Sequence, residues 1–322
     1  MVIGAYLTGA FGQSQQLYEP RNEEKRGRGS PEAVVKHAKE DTQRIIGLQK
    51  EAGLDYIIDP MFTFFYLFQP LVEQVVGVKK GLQENWYNNN VFYRCEINGP
   101  LSLQSGFTEK YLNLDQLPKD GTAMAILPSP YTLLLRSTIK GYPNLTEAVT
   151  NLAEVLHAEA QNLVSKGIGR IQYDEPEIVV RQSLGSLREE DLKLLQRGIE
   201  ICGMVEGATT SLQTYFGDAG PIIPFLKDLP VDGIGIDGTE TSLNDILKHD
   251  YAGKELALGL VDARNTSLEN PAELVEQLHL VAKRTNPRKL YLTPNAGTEY
   301  RGFTHGLNKL HLLKEVRSIL HE

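Results

Sequence analysis

Short apolar runs alternate with amphipathic stretches along the whole of this 322-residue chain, and that alternation constrains the fold more than any other feature. Runs with strand character lie at Val2 to Thr8, Leu54 to Asp59, Val91 to Ile97, Thr122 to Leu127, Gly169 to Asp174, Ala208 to Tyr215, Gly233 to Asp237, Leu256 to Val261 and Lys289 to Thr293. Helical spacing marks Ser30 to Gly53, Asn144 to Lys166, Arg188 to Cys202, Ile222 to Leu229, Ser242 to His249, Pro271 to Arg284 and Leu307 to Leu320. Strands that alternate with helices build a parallel sheet wrapped by helices. No Gly/Ser linker or low-complexity tract breaks the pattern, so the expectation is one α/β domain over residues 1–322, a (β/α)8 TIM barrel. Nine strand-like runs compete for eight barrel places, and the run near Val91 is expected to be a hairpin or extension. A long polar loop, at about residues 12–29, is expected after the first strand. No phosphate-cradling G-x-G-x-x-G follows that strand, which argues against an open dinucleotide-binding sheet.

In such a barrel the chemistry sits at the carboxyl ends of the strands. The stretch Gly-Arg-Ile-Gln-Tyr-Asp-Glu-Pro, residues 169–176, ends a strand abruptly in two acids and a proline. Period-two alternation turns Gln172 and Asp174 away from Ile171 and Tyr173, and Pro176 cannot extend a ladder. Asp174 and Glu175 are therefore the first catalytic candidates, although an acid at this place also serves to cap the next helix. The other strands end at Thr8, Asp59, Asn98, Ser129, Tyr215, Asp237, Asp262 and Asn295, giving a polar ring with an acidic floor. Asp174, Asp237 and Asp262 suit an amino group, a sugar or a metal, and a narrow mouth would raise at least one of their pKa values. Each aspartate has the alternative role of a helix cap. In the polar loop Arg21, Lys25, Arg26 and Arg28 stand among Glu19, Glu23 and Glu24, either to meet an anionic substrate tail or as a solvated surface. The aromatic run Phe62 to Phe68 is read as core packing, with pocket lining as the alternative.

Composition narrows the partners. The chain is 41% hydrophobic and 23% charged, which is ordinary for a globular enzyme, and it has no run of about 18 apolar residues. Its start lacks the basic and apolar regions of a signal peptide, so a cytoplasmic location is expected. A net charge of −8 argues against nucleic acid and leaves a small-molecule substrate. Cys95 and Cys202 form no C-x-x-C pair, and no histidine ends a strand, although His305 is expected in a loop after the last one. No metal site is recognisable, and no cofactor is expected.

Taken together, the motifs resemble the cobalamin-independent methionine synthase family, whose enzymes carry two related (β/α)8 barrels in tandem. Ile-Gln-Tyr-Asp-Glu-Pro, ending at Pro176, is similar to the family's Ile/Val-Gln-Ile-Asp-Glu-Pro strand motif. Three further stretches are similar to the amino-terminal barrel. Residues 85–93, Asn-Trp-Tyr-Asn-Asn-Asn-Val-Phe-Tyr, match its Lys-Trp-Phe-Asp-Thr-Asn-Tyr-His-Tyr, and Thr214-Tyr-Phe216 matches its Thr-Tyr-Phe. Residues 259–265, Gly-Leu-Val-Asp-Ala-Arg-Asn, match its Gly-Leu/Val-aliphatic-Asn/Asp-Gly-Arg-Asn.

The resemblance implies a methyltransferase setting, with methyl transfer to homocysteine in methionine biosynthesis. It implies that Asp174 binds an amino acid's ammonium; the strand-end reading adds Asp59, Gln172, Tyr215, Asp262 and Asn295 as expected lining of the substrate site, and Arg26, in the cationic loop, is expected to face an anionic methyl donor. Asp174, Glu175 and Asp237 are the expected catalytic set. The family's catalytic barrel holds zinc through His-x-Cys, Glu and Cys. The matching positions here are Gln213 with Tyr215, Asp237 and Ala296, so the zinc site is expected to be lost. Zinc is what would keep a thiol, of pKa ~8.5, in its thiolate form. Two alternatives follow from that departure. The chain either works with a separate zinc-bearing catalytic barrel or is a non-catalytic, ligand-binding or scaffolding relative. A barrel hydrolase using Asp174 or Glu175 with Asp237 is a third reading.

Overall fold

The computed structural model describes residues 3–321; Met1 and Val2, where the first strand was expected to start, and Glu322 lie outside the described residues. Eight parallel strands form the main sheet, in the order Ile3–Ala5, Lys289–Pro294, Glu255–Val261, Gly233–Asp237, Thr209–Gln213, Arg170–Asp174, Ala123–Pro128 and Ile57–Ile58. Its two ends come back to each other. Tyr6 and Tyr56 form a parallel bridge, and the Asp55 N–H donates to the Ala5 carbonyl at 2.9 Å. The sheet is therefore curled, with all its carboxyl ends on one rim.

The run near Val91 lies outside this sheet. Val78–Trp86 and Asn90–Asn98 pair antiparallel as a hairpin, and Ser137–Lys140 adds to the second arm in parallel. Asn98 accordingly ends a strand that is not part of the ring.

Two other expectations change. Residues 12–29, expected as a loop, contain the helix Gln15–Lys25, which Ser14 caps by accepting from the Leu17 N–H at 3.2 Å. Its sequence is so polar that only Leu17 and Arg21 are buried, and nothing in its composition marks an apolar face. The last helix starts at Phe303, not Leu307, which places His305 on a helix instead of in a loop.

The interior at the amino ends of the strands is filled. Arg170 and Glu255, each the first residue of its strand, form a fully buried ion pair at 2.6 Å. The guanidinium also lies over the rings of Tyr6, Tyr56 and Tyr291, at 5.2, 4.7 and 5.7 Å. Gly233 leaves the space for this pair, since a Cβ there would come within 3.1 Å of Glu255 Cβ and 3.4 Å of Arg170 Nη2. A cavity opens at the other end. Among the described residues no helix is long and apolar enough to cross a membrane.

Candidate functional site

The cavity has a volume of about 380 Å³ and lies at the carboxyl rim of the sheet. Asp174 and Tyr215 reach it from the strand ends, and Glu299 and Tyr300 from the turn after the last strand. The aromatic run contributes Phe62 and Phe68, which are both core and lining, and Phe65, which lines the cavity from an exposed position. From the hairpin come Trp86 and Phe92, packed edge-to-face on Phe68 at 5.6 and 5.7 Å. The remaining side is one face of the helix Gln15–Lys25. Tyr18, Arg21, Asn22 and Lys25 recur at helical spacing and all four line the cavity.

The hairpin is tied to the helix that follows Asp174. Tyr87, beside Trp86, donates its hydroxyl to Glu177 at 2.6 Å, and Arg136 Nε donates to the same oxygen at 2.7 Å. The Arg136 guanidinium stacks on the Tyr87 ring at 4.3 Å. This network sets the position of Trp86 at the cavity.

Asp174 is only 7% exposed. Gln172 Nε2 donates to its Oδ1 at 2.8 Å, and Tyr215 OH donates to Oδ2 at 3.3 Å. Burial pushes the carboxyl up to about 8, although both of those hydrogen bonds pull the other way, and the nearby Glu299 adds to the rise. Glu299 is itself pushed up to about 7 by burial. The site is thus a pair of acids, poised near neutrality, in an aromatic cavity.

The other candidate residues are held away from the cavity lining. Glu175 caps the helix Pro176–Ser183, accepting from Ile178 N–H at 2.9 Å, from Thr132 N–H at 3.1 Å and from the Ser129 hydroxyl. Burial raises its pKa to about 7. Asp237 accepts from Phe216 N–H and Thr239 N–H at 2.9 Å each, from Thr239 Oγ1 at 2.6 Å and from Asn295 Nδ2 at 3.2 Å. Its carboxyl is raised by burial. Phe216, whose N–H it holds, has a left-handed φ of 68° and packs on Tyr215 at 4.7 Å, so Asp237 supports the turn that orients Tyr215. Asp59 accepts from Met61 N–H at 2.7 Å and twice from Asn113, and Asn295 Oδ1 accepts from Ala263 N–H at 2.9 Å. Asp262 is paired with Arg264 at 3.6 Å. Arg26 is 63% exposed and paired with Glu23, so the cations that line the cavity are Arg21 and Lys25 instead.

Glu299 was not singled out from the sequence, and Arg21 was named there only as one of four cations in the polar loop. The signal for Arg21 is the Ser14 cap followed by residues 18, 21, 22 and 25 at helical spacing; for Glu299 there is only an acid–tyrosine pair in a turn. Among the described residues no three His, Cys, Asp or Glu side chains are grouped to hold a metal. At the positions matching the family's ligands, the Gln213 amide donates toward the Thr214 carbonyl at 3.2 Å, Tyr215 donates to Asp174, and Ala296 carries no donor.

A family model described as "Cobalamin-independent synthase, Catalytic domain" matches residues 4–318. The chain belongs to this family. It is similar to a methionine synthase of Saccharolobus islandicus, with 25% identity over 61% of this chain and 58% of that one. It is also similar to the 5-methyltetrahydropteroyltriglutamate--homocysteine methyltransferase of Bacillus thuringiensis, with 23% identity over 97% of this chain and 42% of the relative. The chain thus spans about half the length of the curated relatives it matches. Among solved structures, the B12-independent methionine synthase of Shewanella sp. W3-18-1, in complex with selenomethionine, superposes with a TM-score of 0.76. That match has 20% identity and covers 100% of this chain and 98% of the other. The shared fold is the curled parallel sheet with its helices.

Proposed function

We propose that this protein is a methyltransferase that acts on the sulfur of homocysteine, in methionine synthesis, and that Asp174 holds the amino acid's ammonium. We read the curled sheet as a closed (β/α)8 barrel spanning the chain, a reading supported by the Tyr6–Tyr56 bridge. The observation that carries the functional reading is Asp174 itself. It is a buried carboxylate at a strand end, facing a cavity of small-molecule size, in a chain of the methionine synthase family. Gln172 and Tyr215 orient it, whereas Glu175 and Asp237 act from outside the cavity as a helix cap and a turn support.

We also propose that the site works without the family's zinc. A carboxamide, a phenol committed to Asp174, an aspartate already holding four donors and an alanine do not fit that ion. The same donor set favours a second reading, a ligand-binding relative that does not itself transfer the methyl group. The test is methionine formation from homocysteine, followed by mass spectrometry with methylfolate and methyl-corrinoid donors, alongside elemental analysis of the purified protein. Product from the protein alone supports the methyltransferase reading. Amino-acid binding without product supports the second, and zinc at one equivalent would overturn the metal proposal.

A further inference from the structure

Arg21 and Glu299 line the same cavity, and each carries a charge that the protein leaves without an opposite partner. Arg21 is 5% exposed, on the helix Gln15–Lys25. One of its terminal nitrogens, Nη2, donates to the Phe62 carbonyl, and Phe65 lies under the guanidinium at 5.1 Å. The other, Nη1, is shut from solvent and has no hydrogen-bond partner among the described residues. Glu299 Oε2 is in the same condition, and Asp174 is held only by the neutral donors Gln172 and Tyr215. Burying a cation and two acids without partners is costly unless something neutralises them. One net-neutral molecule with both signs would do so at once.

We propose that the cavity takes a zwitterion, with its cationic end between Asp174 and Glu299 and its anionic end on Arg21. Arg21 and Glu299 are then specificity-determining residues. This rests on the amino-acid reading above and adds to it the group that reads the ligand's carboxylate and a second acid for its ammonium. Guanidinium suits the first task, because its planar fork matches a carboxylate and Phe65 fixes its plane. The polarity of the cavity supports the same orientation. Its other cation, Lys25, also lies over Phe65, at 4.7 Å, while the acids come from the strand rim.

Calorimetry on the full chain tests the inference with three probes: methionine, the amine left when its carboxylate is removed, and the acid left when its ammonium is removed. The wild type is expected to bind methionine at least tenfold tighter than either singly charged probe. Arg21→Met should weaken methionine at least tenfold and leave the amine unchanged, and Arg21→Lys should keep part of the preference. Glu299→Gln should weaken methionine and the amine but not the acid. Equal wild-type affinity for methionine and the amine would overturn the inference without any variant having to fold. So would an Arg21→Met protein, folded by circular dichroism, that loses both probes alike. If Asp174→Asn abolishes methionine binding while the Arg21 and Glu299 variants do not alter it, the inference falls and the amino-acid reading stands. No binding of any probe by the wild type overturns both.

Discussion

Gln172 and Asp174, two residues apart on one strand, are joined by a hydrogen bond of 2.8 Å from Nε2 to Oδ1, and Gln172 also donates to the Thr8 carbonyl at 2.8 Å across the interior. The alternation that turns both side chains inward thereby also fixes the carboxylate against the segment that follows the first strand. Hydrogen bonds to a charged group contribute about 1.5–3 kcal/mol. Replacing Gln172 by Leu is expected to weaken amino-acid binding about tenfold or more and to raise the Asp174 pKa further. An unchanged affinity by calorimetry would show that Tyr215 alone positions the carboxylate.

Binding should depend on pH in a definite direction. Asp174 at about 8 and Glu299 at about 7 are largely protonated below neutrality, and an ammonium binds their charged forms. Affinity for methionine is expected to rise from about pH 6 to about pH 8.5 and then level, with Glu299→Gln removing the lower step. Stability runs the opposite way. A carboxyl raised in the folded state contributes stability that is complete below its unfolded value near about 4 and is lost as pH rises through the folded value. Ligand-free Asp174→Asn should therefore gain on the wild type, by more than about 1 kcal/mol, between about pH 5 and about pH 8.5 in chemical denaturation.

The strand ends were legible because a strand exposes its register in every second residue. Asp174 and Gln172 followed from period two and a stop at Pro176, and Tyr215 from the end of the next strand-like run. What the ends do was not legible. Glu175 and Asp237 look the same as Asp174 in sequence, and only the positions of the Ser129, Thr132, Ile178, Phe216 and Thr239 donors separate them. The helix Gln15–Lys25 failed for a different reason. Its inward face is Tyr18, Arg21, Asn22 and Lys25, a polar face turned to a cavity, so the apolar stripe that marks a helix is missing. Once it is a helix, residues 21 and 25 share a face that Arg26 does not join. Glu299 sits in a short turn with no periodicity to place it.

The Arg170–Glu255 pair predicts a measurable asymmetry. Each side chain is almost wholly buried; removing Glu255 leaves Arg170 charged and without a carboxylate, whereas removing Arg170 leaves Glu255 with Arg288 at 3.3 Å. Glu255→Gln is expected to cost about 3–5 kcal/mol in urea denaturation and Arg170→Met less, and changing both to apolar residues should recover much of the larger loss. Additive losses in the double variant would show that the two side chains stabilise the interior independently, Arg170 through its three tyrosine rings.

Glu175 tests whether neighbouring acids have separate duties. It is completely buried, and its oxygens satisfy the Ile178 and Thr132 amides at the start of two helices, while Asp174 beside it faces the cavity. Loss of a capping side chain typically costs about 0.5–2 kcal/mol, and a buried amide left unpaired about 1–3 kcal/mol. Glu175→Ala is therefore expected to lower stability by about 2 kcal/mol or more while leaving the methionine affinity of the folded protein within about twofold of wild type. Asp174→Asn should do the reverse, abolishing affinity and sparing the fold. A Glu175→Ala protein that folds with full stability but cannot bind methionine would move Glu175 from helix cap to ligand contact, and would require its carboxylate to leave the Ser129 hydroxyl when the cavity fills.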